Sequence, residues 1–335
     1  MRVTSRNLSL GAVATATALA LSACGGVQNT AGSGSDSGKY PSGAVEMPVG
    51  ASAGGSSDLI SRQISQGLTA ELDASFPVIN RAGANGALAA AGVAKAKPDG
   101  STISVQNASL FTITPLAVSK DEVTSINDFD VVQGVSRDDY VLVASKGSGF
   151  TSIDDLKSHG KKITYGTTGV GTGAQLACAL TYNVNHTAAE AVPFDGGAPA
   201  LTALLGNQVD TACLQVGEAI ENIKAGKITP LSVFGPERVT FLPKVRTAKE
   251  QGLDVEVAQY RFMTVPKGTP KDVQDAIAKA MQATFKTKKY QDFNAQNNLT
   301  PMEIPGDEVL KQLEKDKKRY ADLVAKYNIH LGDAS

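Results

Sequence analysis

The sequence has few of the residues that build metal centres, because its 335 residues include three His and three Cys. A structural zinc site takes about four such ligands held close together. Strong charge of either sign is also missing, since 32 Lys and Arg face 33 Asp and Glu, a formal net charge of -1. A near-neutral chain without a basic block argues against nucleic acid as the main partner. No G-x4-G-K-[ST] phosphate loop occurs, and we expect neither a cofactor nor a metal.

Long hydrophobic runs are scarce as well, and the apolar stretch at residues 8–21 is too short to span a bilayer. It follows two arginines, a pattern typical of a secretory signal peptide over residues 1–23. The letters LSAC at 21–24 resemble a bacterial lipoprotein box, which implies cleavage before Cys24 and a lipid on its thiol. An ordinary signal peptide with a chance cysteine is the alternative. Residues 24–44, rich in Gly and Ser, are expected to form a flexible tether, so that an extracytoplasmic protein is anchored to the cell membrane by lipid only.

From residue 45 onward, β-like and helical runs alternate along the chain. Strands are expected at 45–49, 76–80, 102–107, 129–135, 140–145, 162–166, 190–194, 209–214, 228–234 and 255–265. Helices are expected at 56–72, 84–96, 152–158, 173–184, 197–206, 216–225, 245–251, 270–297 and 306–328. The repeated order of strand, short loop and helix indicates an α/β fold with parallel sheets covered by helices. More than a dozen elements favour two α/β domains with a cleft over one sheet.

Four loops rich in small polar residues follow or approach these strands, at 52–58, 107–109, 167–175 and 194–199. Glycine lets the backbone turn sharply and approach a ligand, and the amides at the start of the next helix attract an anion. Ligands of open α/β sheets bind at the carboxyl ends of the strands, where such loops lie. The same residue types also make ordinary turns and helix caps. Four such loops in one chain favour a shared site for a small anion.

Seven blocks of the sequence carry a more specific signal. In this order, they resemble the extracytoplasmic substrate-binding proteins of tripartite tricarboxylate transporters, the TctC or Bug family: PVGASAGGSSD (48–58), INRAGANGALAAAGVAKAKPDG (79–100), ITYGTTGVGTGAQLA (163–177), VPFDGGAPALTALLGNQVD (192–210), IKAGKITPLSV (223–233), LPKVRTAKEQGL (242–253) and VPKGTP (265–270). The resemblance covers about residues 45–330. It implies a periplasmic-binding-protein-like fold of type II, with domain 1 at 45–139 plus 260–335, domain 2 at 140–259, two interdomain crossovers and a ligand cleft between the domains.

The resemblance also implies a function. The chain is expected to be a monomeric solute-binding protein, not an enzyme, that captures a small carboxylate and delivers it to a membrane permease with a large and a small subunit. Backbone amides and hydroxyls of the first three loops are expected to hold the carboxylate, and the fourth loop and the residues after the strand near 214 are expected to meet the far end of the ligand. These positions map to Ala53, Gly54, Gly55, Ser56, Asn107, Ser109, Gly171 and Thr172 for the carboxylate, and to Asp195, Gln215 and Glu218 for the far end.

The sequence departs from the family pattern at three places. Phe194 and Asp195 stand where the family usually has Tyr-Lys, Gly173 stands where Ser is frequent, and Arg261 appears between two aromatic residues near the second crossover. Our hypothesis is that Arg261 clamps a ligand carboxylate through its planar fork. Asp195 would then accept a hydrogen bond from an amine or hydroxyl at the distal part of the ligand. The alternative is that Arg261 is a solvated residue at a strand end and Asp195 a helix cap.

The state of two cysteines is open. Cys178 and Cys213 both fall in the predicted domain 2. An extracytoplasmic compartment allows a disulfide between them, and their apolar surroundings equally suit two buried free thiols.

Three other functions fit parts of the same pattern. A solute-binding lipoprotein of an ABC or other transporter would have the same fold, tether and cleft. A sensor lipoprotein would present its ligand to a membrane histidine kinase. A secreted hydrolase or transferase would use Asp58, Asp195 or Glu218, although carboxylates at unknown separation are weak evidence for catalysis.

Overall fold

The structure, a computed structural model, describes residues 40–332. The signal peptide predicted at 1–23, the lipidated Cys24 and most of the predicted tether lie outside the described residues. Tyr40 lies inside them: its hydroxyl donates to the carbonyl oxygen of Gly100 at 3.0 Å, and its ring packs against a hydrophobic core. The chain is therefore attached to the fold before residue 44, the predicted end of the tether. Among residues 40–332, no helix combines the length and the apolar character that a membrane span needs.

Strands and helices alternate along the described chain, which confirms the predicted α/β class. The strands are β1 (Met47–Val49), β2 (Val78–Asn80), β3 (Ser104–Asn107), β4 (Phe129–Ser145), β5 (Ile163–Thr167), β6 (Ala189–Pro193), β7 (Thr211–Gln215), β8 (Ile228–Val233), β9 (Ala258–Pro266) and β10 (Thr300–Pro301). The α-helices are α1 (Ser56–Leu72), α2 (Ala87–Ala94), α3 (Ala108–Thr112), α4 (Ile153–Ser158), α5 (Gly173–Val184), α6 (Gly197–Leu205), α7 (Val216–Lys224), α8 (Lys271–Phe285), α9 (Lys288–Gln296) and α10 (Gly306–Lys326).

Most of the strands form one mixed sheet. β1 and β2 make a small parallel sheet, and the larger sheet has the order β3-β9-β4-β7-β5-β6, with β8 and β10 also paired to β4. β5 pairs in parallel with β6 and β7, whereas β4 and β9 run antiparallel to their partners. The larger sheet is therefore mixed, not purely parallel as the alternation of strand and helix predicts.

The long strand β4 passes from one set of partners to another. From Phe129 to Asp139 it pairs with β9, and from Tyr140 to Ser145 it pairs with β7 and β8. The predicted domain boundary between residues 139 and 140 falls at this change of partners, and the division into two domains stays a prediction.

The prediction of two separate strands at 129–135 and 140–145 is wrong, because β4 is continuous. The polar residues SRDD at 136–139 interrupt the apolar pattern, yet their backbone continues the ladder with β9. Their charges are neutralised inside the fold: Asp138 pairs with Arg261 across the ladder, and Arg137 pairs with Asp139 at 3.3 Å. Pairing offsets part of the cost of burying these charges, so the chain can stay in the sheet.

Three other element predictions need correction. The segment at 270–297 is two helices, because the Thr287 hydroxyl caps α9 by accepting from the N–H of Tyr290 at 3.3 Å. The helix expected at 245–251 is a single 3₁₀ turn, Lys249–Gln251, since the chain before it pairs with Val233 of β8. The loop expected at 107–109 continues into the short helix α3.

The spacing of apolar residues determines which face of α1 is buried. Ile60, Ile64 and Leu68 recur every four residues and are at most 2% exposed. They pack in one core with Val105 of β3 and Met281 of α8. Each buried aliphatic side chain contributes about 2 kcal/mol. This packing holds the first turn of α1 beside the carboxyl end of β3.

The two cysteines whose redox state the sequence leaves undecided are bonded to each other. Cys178 of α5 and Cys213 of β7 form a disulfide, with their Cα atoms 5.9 Å apart. Both are fully buried in a core that also contains Leu142 of β4. The bond ties the helix that follows the third Gly-rich loop to the strand that ends at Gln215.

Removal of the disulfide is expected to lower the free energy of unfolding. With a sequence separation of 35 residues, the chain-entropy account gives a loss of about 3–4 kcal/mol for Cys178→Ala combined with Cys213→Ala, measured by urea denaturation. Cys24→Ala is the control that leaves the bond intact. Peptide mapping without reduction should yield one linked pair of peptides, and two separately alkylated cysteines would contradict the bond.

Candidate functional site

A cavity of about 880 Å³ opens among the loops that follow the strands. All four Gly-rich loops contribute to its wall, together with side chains from the middle of β4 and β9. Ten of the twelve predicted binding residues line it: Ala53, Gly54, Gly55, Ser56, Asn107, Thr172, Asp195, Gln215, Glu218 and Arg261. The four loops therefore meet at one cavity, and which of these residues contact a ligand stays a prediction.

The first Gly-rich loop presents the start of α1 to the cavity. Gly55 precedes the helix, and no side chain caps it. The first N–H groups of a helix have no partner inside the helix, so those of Ser56 and Ser57 are available to a ligand. Gly54 adopts a φ of 81°, which only glycine takes without strain, and its N–H donates to Asp58 at 2.9 Å.

Asp58 stabilises this loop from behind. Its carboxylate also accepts from Arg62 Nε at 3.0 Å and from Asn80 Nδ2 at 2.8 Å. Burial alone would raise the pKa of Asp58, but these hydrogen bonds hold it below the usual value. Asp58 is not among the residues that line the cavity, so it is not available for catalysis on a ligand bound there.

Arg261 of β9 is 2% exposed, although it lines the cavity. Its Nε donates to Ser57 Oγ at 2.8 Å, and its Nη1 is ion-paired with Oδ2 of Asp138 in β4. Arg261 is therefore a buried, paired residue and not a solvated one at a strand end. Asp138 is not among the predicted site residues, and its signal in the sequence is the SRDD charge cluster inside an otherwise apolar strand.

The ion pair belongs to a longer polar network. Ser57 Oγ donates to Asn107 Oδ1 at 3.0 Å, which joins the first and second loops. On the other side, the side-chain amide of Gln215 contacts both members of the ion pair. Its oxygen accepts from Arg261 Nη2 at 3.3 Å, and its nitrogen donates to Asp138 Oδ2 at 3.2 Å. The network thus runs from the end of β3 to the end of β7 along the cavity wall.

Glu218, in the first turn of α7, also lines the cavity. Its Oε2 accepts from the N–H of Gln215 at 3.2 Å. Loss of hydration is the largest cause that raises the pKa of Glu218 to about 7, and the negative charge of Asp138 raises it further. The start of α6 lies against this carboxyl, because a Cβ on Gly197 would overlap it.

The third and fourth loops place different groups on the wall. The Thr172 hydroxyl caps α5 by accepting from the N–H of Gln175 at 3.3 Å, and it donates to the Gly169 carbonyl at 2.8 Å. Asp195 is exposed. The residue before α6 is Gly196, and no side chain caps that helix, so the helix-cap alternative for Asp195 is wrong.

Two predicted binding residues, Ser109 and Gly171, are not among those that line the cavity. Asn85, which does line it, contacts both: its Nδ2 lies 3.0 Å from Ser109 Oγ and 3.3 Å from the Gly171 carbonyl oxygen. The N–H of Gly171 donates to Gln175 at 2.8 Å. Asn85 is not among the predicted site residues, although it lies in the block at 79–100 that carries the family resemblance.

One further motif lies on the wall. Residues 50–54, GASAG, have the G-x-S-x-G spacing of a nucleophile elbow, and Ser52 lines the cavity. A serine nucleophile needs a neighbouring base, usually His. No histidine is found among the lining residues in the described part of the chain, so the spacing here serves the turn before α1.

The charges on the wall are mostly acidic. Within residues 40–332, the lining carboxyl groups belong to Glu122, Asp138, Asp195 and Glu218, and the single lining cation is Arg261. Because Arg261 is already paired with Asp138, three carboxyl groups have no lining cation as a counterpart.

Comparison with known proteins gives concordant matches. The model of a family described as "Tripartite tricarboxylate transporter family receptor" matches residues 60–329. A UPF0065 protein of Agrobacterium vitis, from the TAR-I ttuE-ttuC' intergenic region, is 32% identical over 252 residues, 74% of this chain and 72% of that protein. The structure of the periplasmic binding protein BugD has a TM-score of 0.78 at 27% identity, covering 87% of this chain and 99% of BugD. The structure of R. palustris Rpa4515 with adipate has a TM-score of 0.81 at 24% identity, covering 87% of this chain and 99% of that one.

These matches confirm the periplasmic-binding-protein-like fold expected from the sequence. The family and the structural neighbours are extracytoplasmic solute-binding proteins, not enzymes. The alternative of a secreted enzyme is therefore set aside.

The ion pair of Asp138 and Arg261 is expected to behave as one coupled unit. Arg261→Met leaves a buried carboxylate without its partner and should lower the free energy of unfolding by about 3–5 kcal/mol. Adding Asp138→Asn should restore part of that loss, because the charge that lacked a partner is gone. Urea denaturation of both single variants and the double variant measures the coupling.

The matched control is the exposed pair of Arg238 and Glu250, whose N···O distance is 2.9 Å. Arg238→Met should leave the free energy of unfolding nearly unchanged, because water and salt screen an exposed ion pair. Strictly additive effects of the Asp138 and Arg261 variants would contradict the coupling.

Proposed function

Because the chain belongs to the tripartite tricarboxylate transporter receptor family, we propose that it captures a small carboxylate in its cavity and delivers it to a membrane permease. One observation carries the proposal: the uncapped start of α1 and the guanidinium of Arg261 meet on the wall of one cavity. Backbone amides at a helix start and a guanidinium fork are both donors suited to a carboxylate.

The carboxylate binds at the first turn of α1. The N–H groups of Ser56 and Ser57 approach it with the positive end of the helix dipole behind them. Arg261 has five N–H donors, of which Ser57, Asp138 and Gln215 each take one. Because these partners fix the guanidinium before the ligand arrives, little side-chain freedom is lost on binding.

Delivery depends on movement between the two predicted domains, 45–139 plus 260–335 and 140–259. The ligand touches residues of both, since Ser56 and Arg261 belong to the first and Glu218 to the second. A ligand that bridges both domains binds the closed state better and so favours it. Hinge motion within β4 and β9 closes the cleft, and the closed form docks on a permease with a large and a small subunit.

The protein is held at the outer face of the cell membrane by lipid on Cys24, after removal of residues 1–23. Support for this part of the proposal comes from the signal-peptide pattern and the LSAC box. The segment from residue 24 to residue 39 spans the distance between the lipid and the fold, as its Gly- and Ser-rich composition favours.

At least one small carboxylate is expected to raise the melting temperature of the purified protein, because a ligand that binds the native state stabilises it by mass action. A thermal-shift screen covers dicarboxylates, tricarboxylates, aromatic carboxylates and amino acids, with sugars and simple amines as the comparison panel. Shifts confined to the comparison panel would count against the function.

For the best carboxylate, Arg261→Lys should weaken binding about tenfold to a hundredfold, since a lysine keeps the charge and loses the fork. Arg238→Lys, outside the cavity, is the matched control. Unchanged affinity in both Arg261→Lys and Asp195→Asn would remove the hypothesis that these residues grip the two ends of the ligand.

Cys24→Ala is expected to release the protein from the membrane fraction of a bacterial host, because the lipid has no other thiol at the cleavage site. The measurement is immunodetection in membrane and soluble fractions, with the surface variant Arg238→Lys as the control. Equal membrane retention of the Cys24→Ala and unaltered proteins would exclude the lipid anchor.

A further inference from the structure

The cavity has the wrong charge for a ligand whose two ends are both carboxylates. Arg261 is the single cation that lines it within residues 40–332, and Asp138 already neutralises that charge. A second carboxylate would face Asp195 and Glu218 with no cation between them. Like charges repel, most strongly where water is excluded.

Asp138 carries an acceptor that nothing uses. The side chain is 5% exposed, and its Oδ2 is engaged by Arg261 and lies 3.5 Å from Ser56 Oγ. Its Oδ1 is buried and has no hydrogen-bond donor among the described residues. A buried carboxylate oxygen without a donor is costly. Asp138 is one of the residues that line the cavity, so the cavity is the side from which a ligand donor would approach this oxygen.

We propose that the ligand carries a protonated amino group as well as a carboxylate, and that this ammonium lies between Oδ1 of Asp138 and the carboxyl group of Glu218. This inference rests on the proposed function, because it assigns the class of solute taken by the same cavity. An ammonium has three N–H donors and no acceptor, whereas a hydroxyl offers one donor and a carboxylate none. The ammonium therefore satisfies both carboxyl groups at once.

Glu218 is fixed in a position to take part. The N–H of Gln215 holds its Oε2 at 3.2 Å, and the start of α6 at Gly197 packs against its carboxyl. The charged groups that face it are Asp138 of β4, which favours its protonated form, and Arg261 of β9, which favours its ionised form. A bound ammonium adds a second positive charge and favours ionisation.

The carboxylate end of such a ligand keeps the partners already proposed. The start of α1 and the free N–H groups of Arg261 take the carboxylate, and the ammonium lies on the other side of the same ion pair. Ser56 and Arg261 are both direct neighbours of Asp138, so one amino acid can reach both ends of the arrangement. Asp195 at the exposed wall adds attraction for a cation as it enters.

The decisive experiment compares ligands that differ in one substituent. The trios are alanine, lactate and propionate; aspartate, malate and succinate; phenylalanine, 3-phenyllactate and 3-phenylpropionate; and 4-aminobutyrate, 4-hydroxybutyrate and butyrate. Calorimetry and thermal shift use the full chain purified in detergent, with EDTA present. In at least one trio, the amino member should bind about tenfold to a hundredfold more tightly than the hydroxyl member, and the third member should be weakest.

Two variants locate the ammonium. Asp138→Asn and Glu218→Gln should each reduce the preference for the amino member over the hydroxyl member about tenfold, because each removes one charge that faces the ammonium. Asp272→Asn and Glu314→Gln are the matched controls, since both residues are exposed and lie outside the cavity. Glu218→Gln, together with the ligand trios on the unaltered protein, keeps the test decisive if Asp138→Asn does not fold.

Proton release gives an independent readout. Glu218 has a pKa raised to about 7, and an ammonium beside it lowers that value, so binding at pH 7 should release up to about half a proton. A ligand with a second carboxylate in the same place would take protons up instead. Calorimetry in two buffers of different ionisation enthalpy gives the sign, and Glu218→Gln should abolish the release.

The possible results distinguish a failure of the ammonium inference from a failure of the proposed carboxylate capture. Equal or tighter binding of a hydroxy acid or a dicarboxylate without an amino group overturns the inference and leaves the proposed function intact. Binding of a dicarboxylate or tricarboxylate only after Mg²⁺ or Ca²⁺ replaces EDTA also overturns it, because the metal then supplies the cation. No binding of any carboxylate overturns the function and the inference together.

Discussion

The ion pair of Arg261 with Asp138 is the interaction on which the rest of the site depends. It joins β9 to β4 where the polar residues of β4 lie inside the sheet, and both of its side chains are buried. Removing charges from water is expensive unless they are paired and hydrogen-bonded. Here the pairing keeps β4 continuous through its most polar stretch and also turns a guanidinium toward the cavity.

The two long strands and the loops serve different purposes. β4 and β9 provide the floor of the cavity, in which the ladder between the two strands holds Asp138 and Arg261 side by side. The loops provide short-range donors, with Ser57 and Asn107 on one side and Gln215 on the other. The disulfide lies behind the second group, because it ties α5 to the strand that ends at Gln215. The polar groups on this wall are thus held in place by contacts within the fold.

Local patterns in the sequence were sufficient for the parts of the fold that local forces determine. The ranges 56–72 and 173–184, expected for helices, are those of α1 and α5, since apolar spacing and polar residues before each helix define both ends. The Gly-rich loops could be placed at one cavity because the ends of neighbouring strands lie together. The family resemblance supplied the type of fold, which the matched structures confirm.

What the sequence did not give depends on contacts between distant residues. Asp138 and Arg261 are 123 positions apart in the sequence. Without its distant partner, the polar segment SRDD predicts that the strand ends before residue 136. The contacts of Asn85 with Ser109 and Gly171 likewise join separate segments and decide which residues reach the cavity. Burial of Glu218 against α6 is also tertiary, and no spacing along α7 reveals the shift of its pKa.

The contact between Gly197 and Glu218 has a consequence for the cavity. A Cβ at position 197 would overlap the carboxyl group of Glu218, so any larger residue there requires the Glu218 side chain to rotate away. That carboxyl group is the end of a flexible side chain and can move, but the movement would take it from the N–H of Gln215. A substitution at Gly197 therefore changes where an acidic group of the cavity wall lies, although Gly197 itself carries no side chain.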